Sequence, residues 1–419
     1  MTRKEAVMEI LYDCCCGLDV HAKTVVTCLI KHGKKQTRTF GTMTSDLLAL
    51  SDWLSSEGCT HVAIESTGVY WKPVFNILEG QVEVMLVNAR HVKAVPGRKT
   101  DVKDCEWLAD LLRHGLLRPS FIPPLEIREL RELTRYRQSL VREQTALANR
   151  IQKLIESGNI KLGQVASDAL GVSGRQMLKA LAAGERDAGK MAELARRRMK
   201  RKKPELKRAL EGRLTPTQRW VLGELLTRYE EVEAAITRVE QQIEREVATC
   251  RDPFVTEAVQ LLQTIPGVGE RVAETTVSEI GVDMSRFASD GHLSSWAGMC
   301  PGNDESAGKT RSGKTTKGSP YLRAALIQAA WAATHQKGTY LAAQYQRLVK
   351  RMGKKKALVA VGHSILVIIY HVLKSHASYE ELGGDYFDRR DTERQRARLI
   401  RRLESLGLKV TVEELPAAA

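Results

Sequence analysis

Over residues 13 to 117 the apolar positions come in short blocks separated by turn residues, and beyond residue 125 they recur every three or four residues. Short apolar or alternating blocks bounded by turn formers predict strands. Asp13 to Val20 reads as a first strand. Thr24 to Lys31 is a second, with Val25, Val26, Leu29 and Ile30, and Gly33 turns the chain into a third, Lys35 to Gly41. Thr44 or Ser45 caps an amphipathic helix through Leu47, Leu48, Leu50, Trp53 and Leu54, which Gly58 ends. His61 to Ser66 is a fourth strand, Tyr70 to Glu79 a short helix and Val82 to Val87 a fifth strand. A polar loop, His91 to Lys99, then leads to a helix from Asp101 to His114 capped by Thr100.

Three strands followed by helix, strand, helix, strand, helix is the layout of an RNase H-like domain, a fold-level analogy that carries no chemistry by itself. Pro119, Pro123 and Pro124 mark a boundary. Beyond them Leu133, Arg137, Leu140, Gln144, Leu147, Ile151 and Leu154 alternate spacings of four and three, as in a coiled-coil seam interrupted by Arg137 and Gln144. A second seam runs through Leu225, Tyr229, Val232, Ile236, Val239 and Ile243. Such seams serve equally an intramolecular helical hairpin or a dimer. Between them lies the run Arg196 to Lys203, a solvated helix face or a phosphate-binding block. The expected organisation is multidomain, α/β plus α. An RNase H-like domain spans 1–122, a coiled-coil and helical basic region 123–254, a mostly helical C-terminal domain 255–380 and a charged tail 381–419.

Composition narrows the partner. Lys and Arg number 65 against 50 acids, a net charge of +15 with a pI near 9.4. A balance of that size points to a polyanion, with nucleic acid ahead of a membrane surface. No run of about 18 apolar residues exists to span a bilayer; the longest apolar stretch, Ser364 to Leu373, has core length. Met1 to Ile10 lacks a signal-peptide core, so a cytoplasmic location is expected. The eight cysteines show neither C-x-x-C pairs nor zinc spacing, and the Cys14 to Cys16 run in the first strand reads as buried thiols.

The chemistry is carried by acids. Asp19 sits in the apolar first strand and Glu65 closes the fourth, in Ala63-Ile64-Glu65-Ser66-Thr67-Gly68. In an RNase H-like sheet these strands are neighbours, so the two carboxylates would stand side by side and repel unless a cation lies between them. Asp101 and Asp104 are three apart at a helix start and share a face. Helix-dipole stabilisation alone would place acids there too. An acid within an apolar strand is costly without a partner, and the four together favour a metal site. Hard oxygen ligands select Mg²⁺ or Mn²⁺, as in phosphodiester chemistry.

Further along, Leu262 to Val272 has the look of a helix-hairpin-helix turn, in which Gly267 and Gly269 would let backbone N–H groups approach a phosphate. A simple glycine-rich helix junction reads the same way. The Gly-, Ser- and Lys-rich stretch from Trp296 to Arg323 offers phosphate-contacting cations in Lys309, Arg311, Lys314, Lys317 and Arg323. Its composition alone names no nucleophile.

Five stretches in order, Gly17-Leu-Asp-Val-His-Ala-Lys23, Ala63-Ile-Glu-Ser-Thr-Gly-Val-Tyr70, Lys99-Thr-Asp-Val-Lys-Asp104, Thr264-Ile-Pro-Gly-Val-Gly269 and Asn303-Asp-Glu-Ser-Ala-Gly-Lys309, resemble the DEDD-type transposases of insertion-sequence family one hundred and ten. The resemblance covers residues 13 to roughly 345. It implies a RuvC-like domain, a coiled-coil insertion and a C-terminal transposase domain. It also implies that Asp19, Glu65, Asp101 and Asp104 hold Mg²⁺ and that Ser306 is a nucleophile leaving a 5′-phosphoserine link to DNA. It further implies a bridge RNA pairing with donor and target DNA, and a homo-oligomer, dimer or tetramer, expected to be joined by the coiled coils. Segment 157 to 222 and the tail after about residue 380 fall outside the family's pattern. A metal-dependent nuclease or junction resolvase using water as nucleophile is the alternative for the same acids. A non-catalytic nucleic-acid scaffold is a third reading.

Overall fold

The structure is a computed structural model that describes residues 9–66, 68–95, 104–301, 304–306, 309–312, 314–390 and 392–411, with the side chains of 90, 93, 94, 304–306, 309–312, 392–395 and 398 outside the description. The chain forms two compact units, Met1–Ile122 and Pro123–Ala419.

The first unit is a five-stranded mixed sheet with helices on both faces. Strands β1 (Cys14–Val20), β2 (Thr24–Lys31) and β3 (Lys34–Gly41) form an antiparallel meander. Helix α1 (Thr44–Ser56) leads to β4 (His61–Glu65), α2 (Trp71–Leu78) to β5 (Glu83–Val87), and a short α3 (Ala89–Ala94) precedes α4 (Asp104–Arg113). The strand order is β3-β2-β1-β4-β5, with β4 parallel to both β1 and β5. A two-residue turn at His32 and Gly33, both at positive φ, closes the β2–β3 hairpin; this is the geometry whose twist matches paired strands.

Both faces of β1 are covered, which explains its continuous apolar run. Cys16, Leu18 and Val20 pack with α1 and α2 residues such as Leu50, Leu54 and Val74. Cys15 and Ala63 pack with Cys105, Leu108 and Leu112 of α4. Edge strand β3 is mostly exposed and carries Lys34, Lys35 and Arg38, charges of the kind that discourage edge-to-edge pairing.

Three expectations need correction. The residue before α1 is Met43, not Thr44 or Ser45, and its N–H donates to the Asp46 carboxylate at 3.3 Å. This is the return half of a capping box, in which the acid at the third helical position satisfies the N–H of the residue before the helix. Leu48 is 51% exposed, because Leu47, Leu50, Trp53 and Leu54 already fill the helix's inward face. The stretch read as a polar loop from His91 begins inside a helical turn, with Val92 buried against α4. Thr100 and Asp101 lie outside the described residues.

Among the described residues, the second unit is helical apart from one small hairpin. Helices α5 (Leu125–Ser157) and α10 (Pro216–Thr249) lie against each other. Between them come the short helices α6 (Leu162–Val165), α7 (Val172–Ala182), α8 (Ala188–Glu193) and α9 (Lys203–Ala209), with a 3₁₀ segment at Arg197–Lys202. The two seams pair within the chain: Leu140 and Leu147 meet Val232 and Ile236. The polar position Arg137 is matched across the seam by Glu240, at 2.7 Å from Nε.

Helices α11 (Phe254–Gln263), α12 (Glu270–Ile280) and α13 (Asp290–Trp296) precede strands β6 (Asp304–Ser306) and β7 (Lys309–Ser312). Then come α14 (Pro320–Ala333), α15 (Tyr340–Met352), α16 (Lys354–Ser375), α17 (Tyr386–Arg390) and α18 (Thr392–Glu404). Among the described residues α16 is the one helix long and apolar enough to cross a membrane. Val361, Ile365, Leu366, Ile369 and Leu373 of that helix are all buried within the unit.

Candidate active site

The parallel pairing of β1 with β4 matches Cys15 with His61, Cys16 with Val62, Gly17 with Ala63 and Leu18 with Ile64. The next residues along the two strands are Asp19 and Glu65. Side chains in register on neighbouring strands share a face, and the face alternates with each residue. Asp19 and Glu65 therefore point where Gly17 and Ala63 point, toward α4 rather than toward α1 and α2. Asp19 is half-buried, and its carboxylate lies 3.2 Å from Nε2 of His21, just past the end of β1.

Helix α4 reaches this face because residue 17 is glycine. A Cβ there would stand 2.2 Å from the Cys105 carbonyl oxygen and 2.5 Å from the Ala109 nitrogen, closer than any side chain tolerates. The thiol of Cys15, two residues back along β1, reaches the Ala109 carbonyl. The helix thus runs against the direction of β1, and its N-terminal end, beginning at Asp104, lies toward the Asp19 end of the strand. Strand register and the seat of α4 on Gly17 thus direct three predicted acids, Asp19, Glu65 and Asp104, to one side of the sheet. Asp101 lies outside the described residues.

Their hard oxygen donors suit Mg²⁺ or Mn²⁺. Among the described residues, no three His, Cys, Asp or Glu stand close enough together to hold a metal ion. The thiols beneath this face belong to the core. Burial pushes Cys15 up to about 12 and Cys28 up to about 11, so neither offers a thiolate.

In the second unit, Ser306 is the last residue of β6 and pairs with Lys309, so it sits at the tip of the β6–β7 hairpin. The side chains of Ser306, Lys309 and Arg311 lie outside the description. A bridge between Pro301 and Thr315 closes the base of the hairpin. Lys314 and Lys317 are exposed. Arg323 is turned inward, donating to the Thr315 hydroxyl at 2.5 Å and the Gly298 carbonyl at 3.4 Å. The two glycines of the α11–α12 turn differ. Gly267 has φ +86° and abuts α14, where a Cβ would meet the Ala329 carbonyl at 2.3 Å; Gly269 opens α12 with nothing within 4 Å of a Cβ.

Sequence reasoning missed a group that anchors this region. Glu279 of α12 is 1% exposed. It accepts from Arg135 of α5 at 2.7 and 2.9 Å and from the hydroxyl of Ser319 at 3.0 Å. Ser319 caps α14 immediately after the hairpin segment. Arg131 donates to the Ser278 and Glu279 carbonyls at 2.9 and 2.6 Å, and burial lowers its pKa to about 10. The guanidinium of Arg135 also lies 4.8 Å from the ring centre of Tyr321. The pair is 144 residues apart in sequence, and no local pattern signals it.

Comparison with known proteins places both halves of the chain. A DEDD-type model described as Transposase matches residues 16–159, and a second, described as Transposase IS116/IS110/IS902 family, matches residues 259–346. The chain is 24% identical over 375 residues to the transposase for insertion sequence element IS1111A of Coxiella burnetii, covering 87% of each protein. It is 23% identical over 389 residues to the pilin gene-inverting protein of Moraxella bovis, covering 87% of this chain and 97% of that one. The Moraxella lacunata pilin gene-inverting protein matches to the same extent, at 23%. An N-terminal match that takes in Asp19, Glu65 and Asp104, followed in order by a C-terminal match that takes in Ser306, means that the chain belongs to the IS110-type transposases and is a DNA transposase or recombinase.

Proposed function

We propose that this enzyme cuts and rejoins DNA for insertion-sequence transposition with two sets of groups. Asp19, Glu65, Asp101 and Asp104 of an RNase H-like (RuvC-like) domain hold Mg²⁺ or Mn²⁺, and Ser306 attacks DNA. The β1–β4 register carries this reading, because it makes Asp19 and Glu65 neighbours on the face that the start of α4 approaches. The sheet order β3-β2-β1-β4-β5 supports the domain assignment. When bound, the ion supplies positive charge that stabilises the negative charge developing on the phosphate oxygens.

In the serine step, Oγ of Ser306 bonds to the scissile phosphorus while the bond from phosphorus to the 3′ oxygen breaks. The serine proton ends on the departing 3′ oxygen, and a 5′-phosphoserine link remains. Attack by another 3′-hydroxyl on that phosphorus reverses the bond changes and returns the proton to Ser306. Serine is a weak nucleophile without activation, and Lys309 and Arg311, beside it in the hairpin sequence, would offset charge on the phosphate. Lys314, Lys317, Arg323 and the open helix start at Gly269 are further phosphate contacts, while Gly267 lets the turn pack. Donor and target DNA are chosen by a bridge RNA through base pairing, which relieves side chains of reading sequence. The enzyme works in the bacterial cytoplasm as a dimer or tetramer, through faces other than the two seams already paired within the chain.

The test is Ser306→Ala incubated with bridge RNA, Mg²⁺ and both DNA partners. The parent protein is expected to give a denaturation-resistant protein–DNA adduct and the variant none. An adduct with the variant defeats the serine assignment. Cleavage without any adduct, in parent and variant alike, points instead to water as the nucleophile.

A further inference from the structure

Residues 158 to 214 fold as a small module at one end of the α5–α10 hairpin, around Ile160, Leu162, Leu178, Leu181, Met191 and Leu206. Almost all of it lies between the two stretches that the transposase models match. Its last third has one sign of charge: residues 196–213 hold ten Lys or Arg against two Glu. Arg197, Arg198, Lys200, Arg201, Lys207 and Arg208 are exposed, while Leu206, Ala209 and Leu210 between them turn into the core. Among the described residues those six cations form no ion pair, whereas Lys203 of the same stretch is held by Glu193 at 2.5 Å.

The run is built into a defined turn. Arg197 has φ +48°, a conformation costly for a side chain of its size. The preceding N–H, on Arg196, donates at 2.9 Å to the buried Ser173 hydroxyl. Holding this many like charges together opposes folding, and a polyanion removes that opposition. The face carries no exposed apolar residues over 196–203, so it lacks what an interfacial helix would bury in a lipid surface. Four of the six cations are arginines, whose planar forks suit phosphate oxygens.

We propose that this face binds the phosphate backbone of duplex DNA and gives the transposase a second hold on its substrate. The inference rests on the chain's being a DNA transposase and is independent of the metal and serine assignments.

The test uses the full-length protein with Arg197→Gln, Arg198→Gln, Lys200→Gln and Arg201→Gln combined. Binding to a duplex DNA of arbitrary sequence, about four helical turns long, is measured by anisotropy across a salt series in chelator, so that no strand is cut. The slope of log K against log salt is expected to become shallower by about 3 to 4, with binding at least about tenfold weaker near 0.1 M salt. The matching variant with all four positions as lysine should keep the parent slope. If the glutamine variant does not fold, Lys207→Gln with Arg208→Gln should lower the slope by about 2. An unchanged slope in a folded variant overturns the proposal. So does a loss confined to duplex RNA of the same length, which would assign the face to RNA.

Discussion

Two regions of this protein place acids among apolar residues, and the acids in them have different partners. On α12, Glu274 and Glu279 are 2% and 1% exposed, and each meets an arginine at 2.7–2.9 Å. On the sheet of the first unit, the Asp19 side chain is 29% exposed and its neighbour is a histidine at 3.2 Å. An arginine fork occupies a carboxylate's lone pairs with fixed geometry, which stabilises a fold but leaves little capacity to take a ligand. A half-exposed acid at a strand end, beside another acid in register, keeps that capacity. The two sets of acids thus differ in partner as well as in burial.

Substitutions can break or sharpen this contrast. Asp19→Asn should lower strand cleavage by on the order of 10²–10³-fold, the usual loss when a group acting on developing charge is removed. The same change should leave the melting temperature unchanged or slightly raised. Normal cleavage would place Asp19 with the structural acids. Glu279→Gln should do the reverse, reducing unfolding free energy by about 3 kcal/mol because it leaves Arg131 and Arg135 without their counter-charge. Urea denaturation measures this, and a loss under about 1 kcal/mol would mean the network is no stronger than a surface pair. Gly17→Ala should cost about 1–3 kcal/mol by forcing α4 away from β1. If thermal unfolding is unaltered, the close approach of α4 does not set the position of Asp104.

The smallest effect concerns Glu274. Burial pushes its carboxyl up to about 7, against the pull of Arg271 beside it. Because the folded state then binds more protons than the unfolded state between about pH 4.5 and 7, stability should fall as pH rises through that window. Relative to Glu274→Gln, the parent should lose on the order of 1–2 kcal/mol from pH 5 to pH 7. A difference between the two proteins that does not change with pH would show that Arg271 holds Glu274 ionised throughout.

Much of the sheet unit was legible in the chain itself. All five strands lie within a residue or two of where alternation and turn residues put them, because each strand's period is local. Errors fell where local rules have several solutions. The start of α1 is satisfied by Asp46 from inside the helix, and Leu48 falls just outside the buried stripe that Leu47 and Leu50 define. The seams were legible as seams; their pairing with each other, Leu140 and Leu147 against Val232 and Ile236, was not. Periodicity fixes which stripe is apolar and says nothing about which stripe covers it. For the candidate site, the residue types of Asp19, Glu65 and Asp104 stood out in sequence, and the network around Glu279 did not.

By itself the sequence determined the elements, the two apolar seams, the positive balance and the few acids placed where strand chemistry disfavours them. All of these follow from composition or from properties that a residue shares with neighbours two to four positions away. Only the tertiary structure decided the β1–β4 register that leads on to Asp19 and Glu65, that α4 descends onto Gly17 and that Arg135 meets Glu279. Strand register is set by burying both faces of the sheet at once, since a slip of one residue would turn every side chain over. A long-range ion pair is set by which helices pack. Neither is encoded in any stretch short enough to be read alone.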